Sequence, residues 1–206
     1  MGMTVTDIVE ISKTRSQVFI DNEAAFVLYK GELGKMHIKK DGALSEERFR
    51  HIMDELLMKR ARLRCLNLLK SRDYTRSQLI SKLRQGLYPE TVIEDAIAYT
   101  ASYGYIDDER YAAAYIKYAG NTKSRKQIEN DLRKKGVSKQ DIENAYLQCE
   151  EKNFLTDESE LIKKLLEKKK YRGAASTPEE RRKTAAFLYR KGFSSDKIYK
   201  AIDQFE

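Results

Sequence analysis

Residues 78–100 read QLISKLRQGLYPETVIEDAIAYT, and residues 127–149 read QIENDLRKKGVSKQDIENAYLQC. A shift of 49 lays Gln78 on Gln127, Leu79 on Ile128, Leu83 on Leu132 and Arg84 on Arg133. It continues with Ile93 on Ile142, Glu94 on Glu143, Ala96 on Ala145 and Ile97 on Tyr146. A further shift of 56 lays Leu132 on Leu188, Ile142 on Ile198, Ala145 on Ala201, Tyr146 on Ile202 and Cys149 on Phe205. The apolar matches fall four, ten, three and one residues apart. Two helices joined by a short turn need that spacing to face a common core.

The helix boundaries repeat with the core. Thr75-Arg-Ser-Gln78 and Ser124-Arg-Lys-Gln127 read as capping boxes in one register, and Thr177-Pro-Glu-Glu180 is a third with proline at the first helical position. Gly136 and Gly192 are placed to take the left-handed conformation after the second helix. The first copy departs, because Gly86 falls one position early and Pro89 opens the next helix. A further helix precedes each pair, at about 60–72, 108–119 and 157–170. The expected fold is mainly α: three tandem three-helix repeats, at 61–105, 106–152 and 153–206, stacked into an elongated, curved array.

The N-terminal stretch differs. TVTDIVEI (4–11) and QVFIDNEAAFVLYK (17–30) are rich in β-branched and aromatic residues, with Asp21-Asn22-Glu23 placed as a hairpin turn. These runs predict a small antiparallel β element within 1–45, with a third strand near 35–39. Ser45, followed by Glu46 and Glu47, then starts a linker helix over 46–60.

The 206 residues carry 40 Lys and Arg against 32 Asp and Glu, a net +8. Residues 1–60 hold ten basic and ten acidic side chains, so the excess lies wholly in 61–206. Such an excess favours a polyanion or an acidic protein surface as partner. No apolar run approaches the roughly 18–20 residues of a membrane span, and no secretory signal is read at the N-terminus. Cys65 and Cys149 have no metal-ligand spacing to His37 or His51 and read as reduced core thiols, so a cytoplasmic, membrane-free protein is expected.

Catalytic chemistry finds little support. The stretch YGYIDDERYAAAYI (103–116) holds an acidic triplet, but Asp107-Asp108-Glu109 stands just before a helix, as Asp157-Glu158-Ser-Glu160 does in the next repeat. Carboxylates there cap free N–H groups and complement the helix dipole, and no other cluster stands near to complete a site. No nucleotide-binding, hydrolase or zinc motif is readable, so no cofactor, metal or catalytic residue is assigned. Gly104 is expected to close one repeat, with Tyr105, Ile106 and Tyr111 filling the seam to the next. The basic runs carry more weight. They recur near the same turns of successive repeats, with Tyr171 and Tyr189 among them, and read either as a solvated face or as a surface following phosphates or an acidic groove.

GYIDDERYAAAYI resembles the Gly-Tyr-hydrophobic-Asp-Asp-x-Arg-aromatic-Ala signature of the bacterial recombination regulator family RecX, carried here by Gly104, Tyr105, Asp107, Asp108, Arg110 and Tyr111. RDYTRSQLISKLRQ (72–85), SRKQIENDLRKKGVSKQDIENAY (124–146) and EERRKTAAFLYRKGFSSDKIYKAI (179–202) are similar to further segments of that family. The resemblance implies tandem three-helix repeats and a non-enzymatic role: binding the RecA recombinase filament on DNA and restraining its ATPase, strand-exchange and coprotease activities. It implies a protein lying in the filament groove and approaching the DNA. The candidate contacts are Arg72, Arg76, Arg125, Lys126, Arg133, Lys134 and Lys135, then Lys168, Lys169, Lys170 and Arg172. The alternative is an autonomous DNA-binding protein whose same residues touch single- or double-stranded DNA weakly and without sequence preference. A monomer is the default for either.

Overall fold

The computed structural model describes residues 2–205; Met1 and Glu206, the end points of the outer ranges above, lie outside the described residues. The chain divides into two units, Met1–Ile106 and Asp107–Glu206.

The first unit opens with four antiparallel strands, β1 (Met3–Ser12), β2 (Arg15–Ile20), β3 (Glu23–Tyr29) and β4 (Ala43–Leu44), in the spatial order β3-β2-β1-β4. The β2–β3 turn is Asp21-Asn22, both at positive φ (49° and 71°), the pair of left-handed residues that a tight hairpin needs. No strand forms near 35–39. Residues Lys30–Lys35 make a short helix, α1, and Met36-His37-Ile38 end it, with His37 at φ 50° and Ile38 buried. The apolar run there seats Ile38 from a helix stop rather than from a strand.

Helix α2 (Glu46–Arg50) starts on Ser45, whose hydroxyl accepts from the Arg48 N–H. It passes through a π-helical run, His51–Leu57, into α3 (Met58–Leu69) without a break. Helices α4 (Arg76–Gln85) and α5 (Glu90–Ser102) complete the first three-helix domain. One core holds it to the sheet: Val18, Phe26 and Leu28 from the strands meet Ile52, Leu57, Ala61, Leu79, Leu83 and Ile93. Arg60 ties the two layers, pairing with Glu32 while its guanidinium lies 4.8 Å from the Tyr29 ring.

The second unit holds two more three-helix domains. The first comprises α6 (Asp108–Ala119), α7 (Arg125–Lys134) and α8 (Lys139–Glu151); the other comprises α9 (Glu158–Lys168), α10 (Pro178–Arg190) and α11 (Ser195–Asp203). The repeat positions are the core positions. Leu83, Leu132 and Leu188 are fully buried, as are Ile93, Ile142 and Ile198 to within 3 %. Helix α10 starts one turn earlier than the repeat implies, on Thr177, and its capping box with Glu180 is complete. The box at Thr75 and Gln78 is complete too, whereas at Ser124 only the half in which its hydroxyl accepts the Gln127 N–H is formed.

One device ends most of these helices. After α1, α4, α5, α7, α8, α9 and α10 a residue at positive φ donates to a carbonyl three back, and the next residue donates to one five back. The left-handed residues are His37, Leu87, Gly104, Gly136, Asn153, Lys170 and Gly192. Each is followed by an apolar or aromatic residue: Ile38, Tyr88, Tyr105, Val137, Phe154, Tyr171 and Phe193. This accounts for the irregular first copy. Leu87, at φ 59°, occupies the slot of Gly136 and Gly192, while Gly86 has an ordinary helical φ of −79°.

Candidate interaction faces

The acidic triplet opens a helix. Asp107 is the N-cap of α6, accepting from the Arg110 N–H at 2.8 Å, and Asp108 begins the helix. Glu109 reaches across to α8, accepting from Asn144 Nδ2 at 2.9 Å and from Gln148 Nε2. Among the described residues no three His, Cys, Asp or Glu side chains converge as a metal site requires. Gly104 closes the first domain at φ 69°. Ile106 belongs to the first core and Tyr111 packs on the second. Tyr105 is 52 % exposed, its ring near-parallel to that of Tyr103 with centroids 6.1 Å apart.

The basic residues fall into two groups. In the first unit, Arg72 lies in the α3–α4 connection with its guanidinium 4.5 Å from the Tyr74 ring, and Arg76 is the exposed first residue of α4. On α7, Glu129 holds two of the candidates. Its carboxylate accepts from Arg125 Nε at 2.9 Å and stands 3.8 Å from Arg133, both i,i+4 neighbours. Arg125 also lies 4.2 Å from the Tyr146 ring, which fixes its guanidinium over the core. Lys135 is the C-cap of α7, half-buried, with its ammonium 5.6 Å from the Tyr115 ring. Lys126 and Lys134 stand exposed on one face of the same helix, and no carboxylate among the described residues pairs with either.

In the last domain Lys168 ends α9, Lys169 caps it and Lys170 takes the left-handed position. The Lys169 ammonium lies 5.2 Å from the Phe187 ring. Lys169, Lys170 and Arg172 line one concavity; Lys168 is exposed outside it.

Spacing alone did not reveal the polar network beneath α7. Lys123 Nζ donates to Asp131 at 2.7 Å and lies 3.1 Å from the Tyr115 hydroxyl, which donates to the same carboxylate at 3.0 Å. The Lys123 hydrogen bond, then that of Tyr115, holds the Asp131 carboxyl below the usual carboxylate range despite partial burial. Lys123 is thus spent inside the domain. Glu158 is likewise committed, accepting the Arg125 N–H at 2.8 Å and pairing with Lys197 at 2.7 Å. Both thiols are free and buried, and burial pushes them up from the ordinary cysteine value.

The sequence matches three family models, described as the first, second and third three-helix domains of RecX, over residues 61–99, 107–145 and 156–202. It is 29% identical over 205 residues to a regulatory protein RecX of Caldanaerobacter subterraneus subsp. tengcongensis, spanning 98% of this chain and 99% of that one. To the regulatory protein RecX of Limosilactobacillus reuteri it is 32% identical over 195 residues, or 92% and 71% of the two chains. A crystal structure of regulatory protein RecX superposes with a TM-score of 0.64 at 29% identity, over 97% of this chain and 98% of that one. A crystal structure of RecX from Lactobacillus salivarius does so with a TM-score of 0.62 at 28% identity, over 72% and 96%.

Proposed function

This chain belongs to the RecX family of regulatory proteins, and we propose that it binds the RecA recombinase filament on DNA, without catalysis of its own, and restrains the filament's ATPase, strand-exchange and coprotease activities. The observation that carries the reading is the division among the cations. Arg125, Arg133 and Lys123 are neutralised within the domain, yet Lys126 and Lys134 on α7 are exposed and form no ion pair among the described residues, although Lys134 acts on Asp131 through space. A helical face that leaves cations unpaired beside neighbours it pairs is fitted to an external anion. Several such faces on successive domains give avidity on a periodic partner, since each further contact forms at high effective concentration. The cytoplasm is the proposed location, with the chain acting as a monomer.

A second reading is autonomous binding of bare DNA through the same residues, favoured by the net +8. The rate of RecA ATP hydrolysis on single-stranded DNA separates the two. With the protein substoichiometric to RecA, inhibition of an assembled filament supports the first. Inhibition only at ratios that coat the DNA supports the second. The paired variant Lys126→Glu and Lys134→Glu should raise the half-inhibitory concentration roughly tenfold, in line with losing two steering charges. An unchanged value would remove this face from the interface.

A further inference from the structure

The last three-helix domain contains a concavity of about 190 Å³ between the end of α9 and the start of α10. Its lining includes Lys169, Lys170, Arg172, Lys183 and Ser176, and one carboxylate residue, Glu180. That carboxylate is already engaged, accepting the Thr177 N–H at 2.8 Å in the capping box of α10. Lys183 has a partner outside the lining, Glu179, at 2.7 Å. Among the described residues no carboxylate forms an ion pair with Lys169, Lys170 or Arg172. Lys170 stands at φ 55°, the left-handed slot that Gly136 and Gly192 fill after α7 and α10. His37, Leu87 and Asn153 also carry side chains in that slot, and Lys170 is the lysine among them, set in the lining of this concavity.

We propose that this concavity is a binding site for a terminal phosphate group, taken either as the end of a nucleic-acid strand or as a free polyphosphate. The charge balance selects the ligand. Lys169, Lys170 and Arg172, with Lys183 already paired to Glu179, face one carboxylate that is itself hydrogen-bonded and offsets part of the Arg172 charge. A phosphate monoester brings about 1.5 to 2 negative charges and three acceptor oxygens. A carboxylate brings one charge and a flat pair of oxygens, which Arg172 alone would satisfy. A phosphodiester inside a strand brings one charge and is flanked by sugars on both sides, so it suits an open basic face better than a concavity. Lys169, Lys170 and Arg172 are also among the candidate filament contacts, but phosphate binding by the isolated chain does not depend on whether the chain regulates RecA.

Titration of the full chain with sodium pyrophosphate at fixed ionic strength, followed by phosphorus NMR, tests the site. Saturable broadening is expected. The double variant Lys170→Ala, Arg172→Ala should weaken it at least tenfold, in keeping with the loss of two charge-assisted contacts. Lys139→Ala, in α8 and paired with Glu143, should leave it unchanged. Broadening that fails to saturate, or that survives in the double variant, overturns the proposal. Two single-stranded oligonucleotides of one sequence, with a 5′-phosphate or a 5′-hydroxyl, then identify the source. Displacement of pyrophosphate by the phosphorylated strand alone supports a strand end, and displacement by neither supports a free polyphosphate. Equal displacement by both overturns the proposal in favour of a general phosphodiester surface.

Discussion

Substituting Gly192 by alanine probes how the last two domains are joined. Gly192 follows α10 at φ 88°, and a Cβ there would stand 2.7 Å from Ser124 Oγ and 3.2 Å from the Lys126 Cβ. Ser124 cannot simply move aside. It is fully buried, caps α7 by accepting the Gln127 N–H, and donates its own proton to the Lys191 carbonyl at 2.6 Å. An L-residue in the left-handed region costs about 1–2 kcal/mol. The alanine regains about 0.4–1 kcal/mol by narrowing the unfolded ensemble. Displacing Ser124 adds about 1 kcal/mol for the cap and about 1 kcal/mol for the hydroxyl–carbonyl bond. The sum is a loss of about 2–3.5 kcal/mol.

Gly104→Ala is the matched control, because Gly104 has φ 69° and no heavy atom within 4 Å of its ideal Cβ. Only the strain and the entropy apply there, for a loss of about 1 kcal/mol or less. Urea unfolding followed by far-ultraviolet circular dichroism measures both. In a Ser124→Ala background the Gly192→Ala loss should shrink towards the Gly104 value, since the hydroxyl it displaces is gone. Equal losses at the two glycines, or strict additivity of Ser124→Ala and Gly192→Ala, would refute the reasoning.

Leu87 is 48 % exposed and strained at φ 59°, so Leu87→Gly should stabilise the protein by about 0.5–1 kcal/mol in the same unfolding assay. The Asp131 carboxyl is held low by Lys123, so its contribution is present above the ordinary value of 3.8 and lost as pH falls through the lower folded value. Asp131→Asn should therefore cost about 0.5 kcal/mol at neutral pH, a figure reduced for solvent screening, and the two proteins should converge in stability only once the pH has fallen through the depressed folded value, below 3.8.

The helical core was legible because the repeat samples it three times. Leu83, Leu132 and Leu188 each carry little information alone, but their shared spacing to Ile93, Ile142 and Ile198 fixes which helix faces turn inward. The caps at Thr75, Ser124, Asp107 and Thr177 were legible for a different reason: capping is local, so four residues suffice to define it. Left-handed helix ends are local too, but they are recognised by glycine. Leu87, Asn153, Lys170 and His37 adopt the conformation without it. That is why Gly86 looked misplaced and why Met36-His37-Ile38 looked like a strand. The π-helical run His51–Leu57 has no sequence signature of its own and shows only in the backbone. Part of the candidate surface was legible in principle, since Arg125, Glu129 and Arg133 stand at ion-pairing intervals on one helix. The gathering of Lys183 with Lys169, Lys170 and Arg172 was not, because it depends on how α10 folds back against α9.

Cations near helix ends have two explanations, and the structure separates them residue by residue. Lys135, Lys169 and Lys191 are the C-caps of α7, α9 and α10, where the helix dipole favours positive charge. Each also places its ammonium near an aromatic ring of its own domain: 5.6 Å from Tyr115, 5.2 Å from Phe187 and 5.8 Å from Phe187. Fold stability alone accounts for a lysine at 135 and 191, whereas Lys169 also lines the concavity at the end of α9. Lys134 is the neighbour that tests the distinction, one residue before Lys135 on the same helix, exposed and with no ion pair or ring contact among the described residues, its charge reaching Asp131 only through space. Lys135→Ala should cost about 0.5–1 kcal/mol of stability by removing a dipole contact and a cation–π contact. Lys134→Ala should leave stability within about 0.5 kcal/mol of the parent, as surface changes do, and weaken inhibition of RecA ATP hydrolysis more than Lys135→Ala does. Were the order of the two effects reversed, partner pairing would be a poor guide to function on this protein, and the case for Lys126 and Lys134 would fall with it.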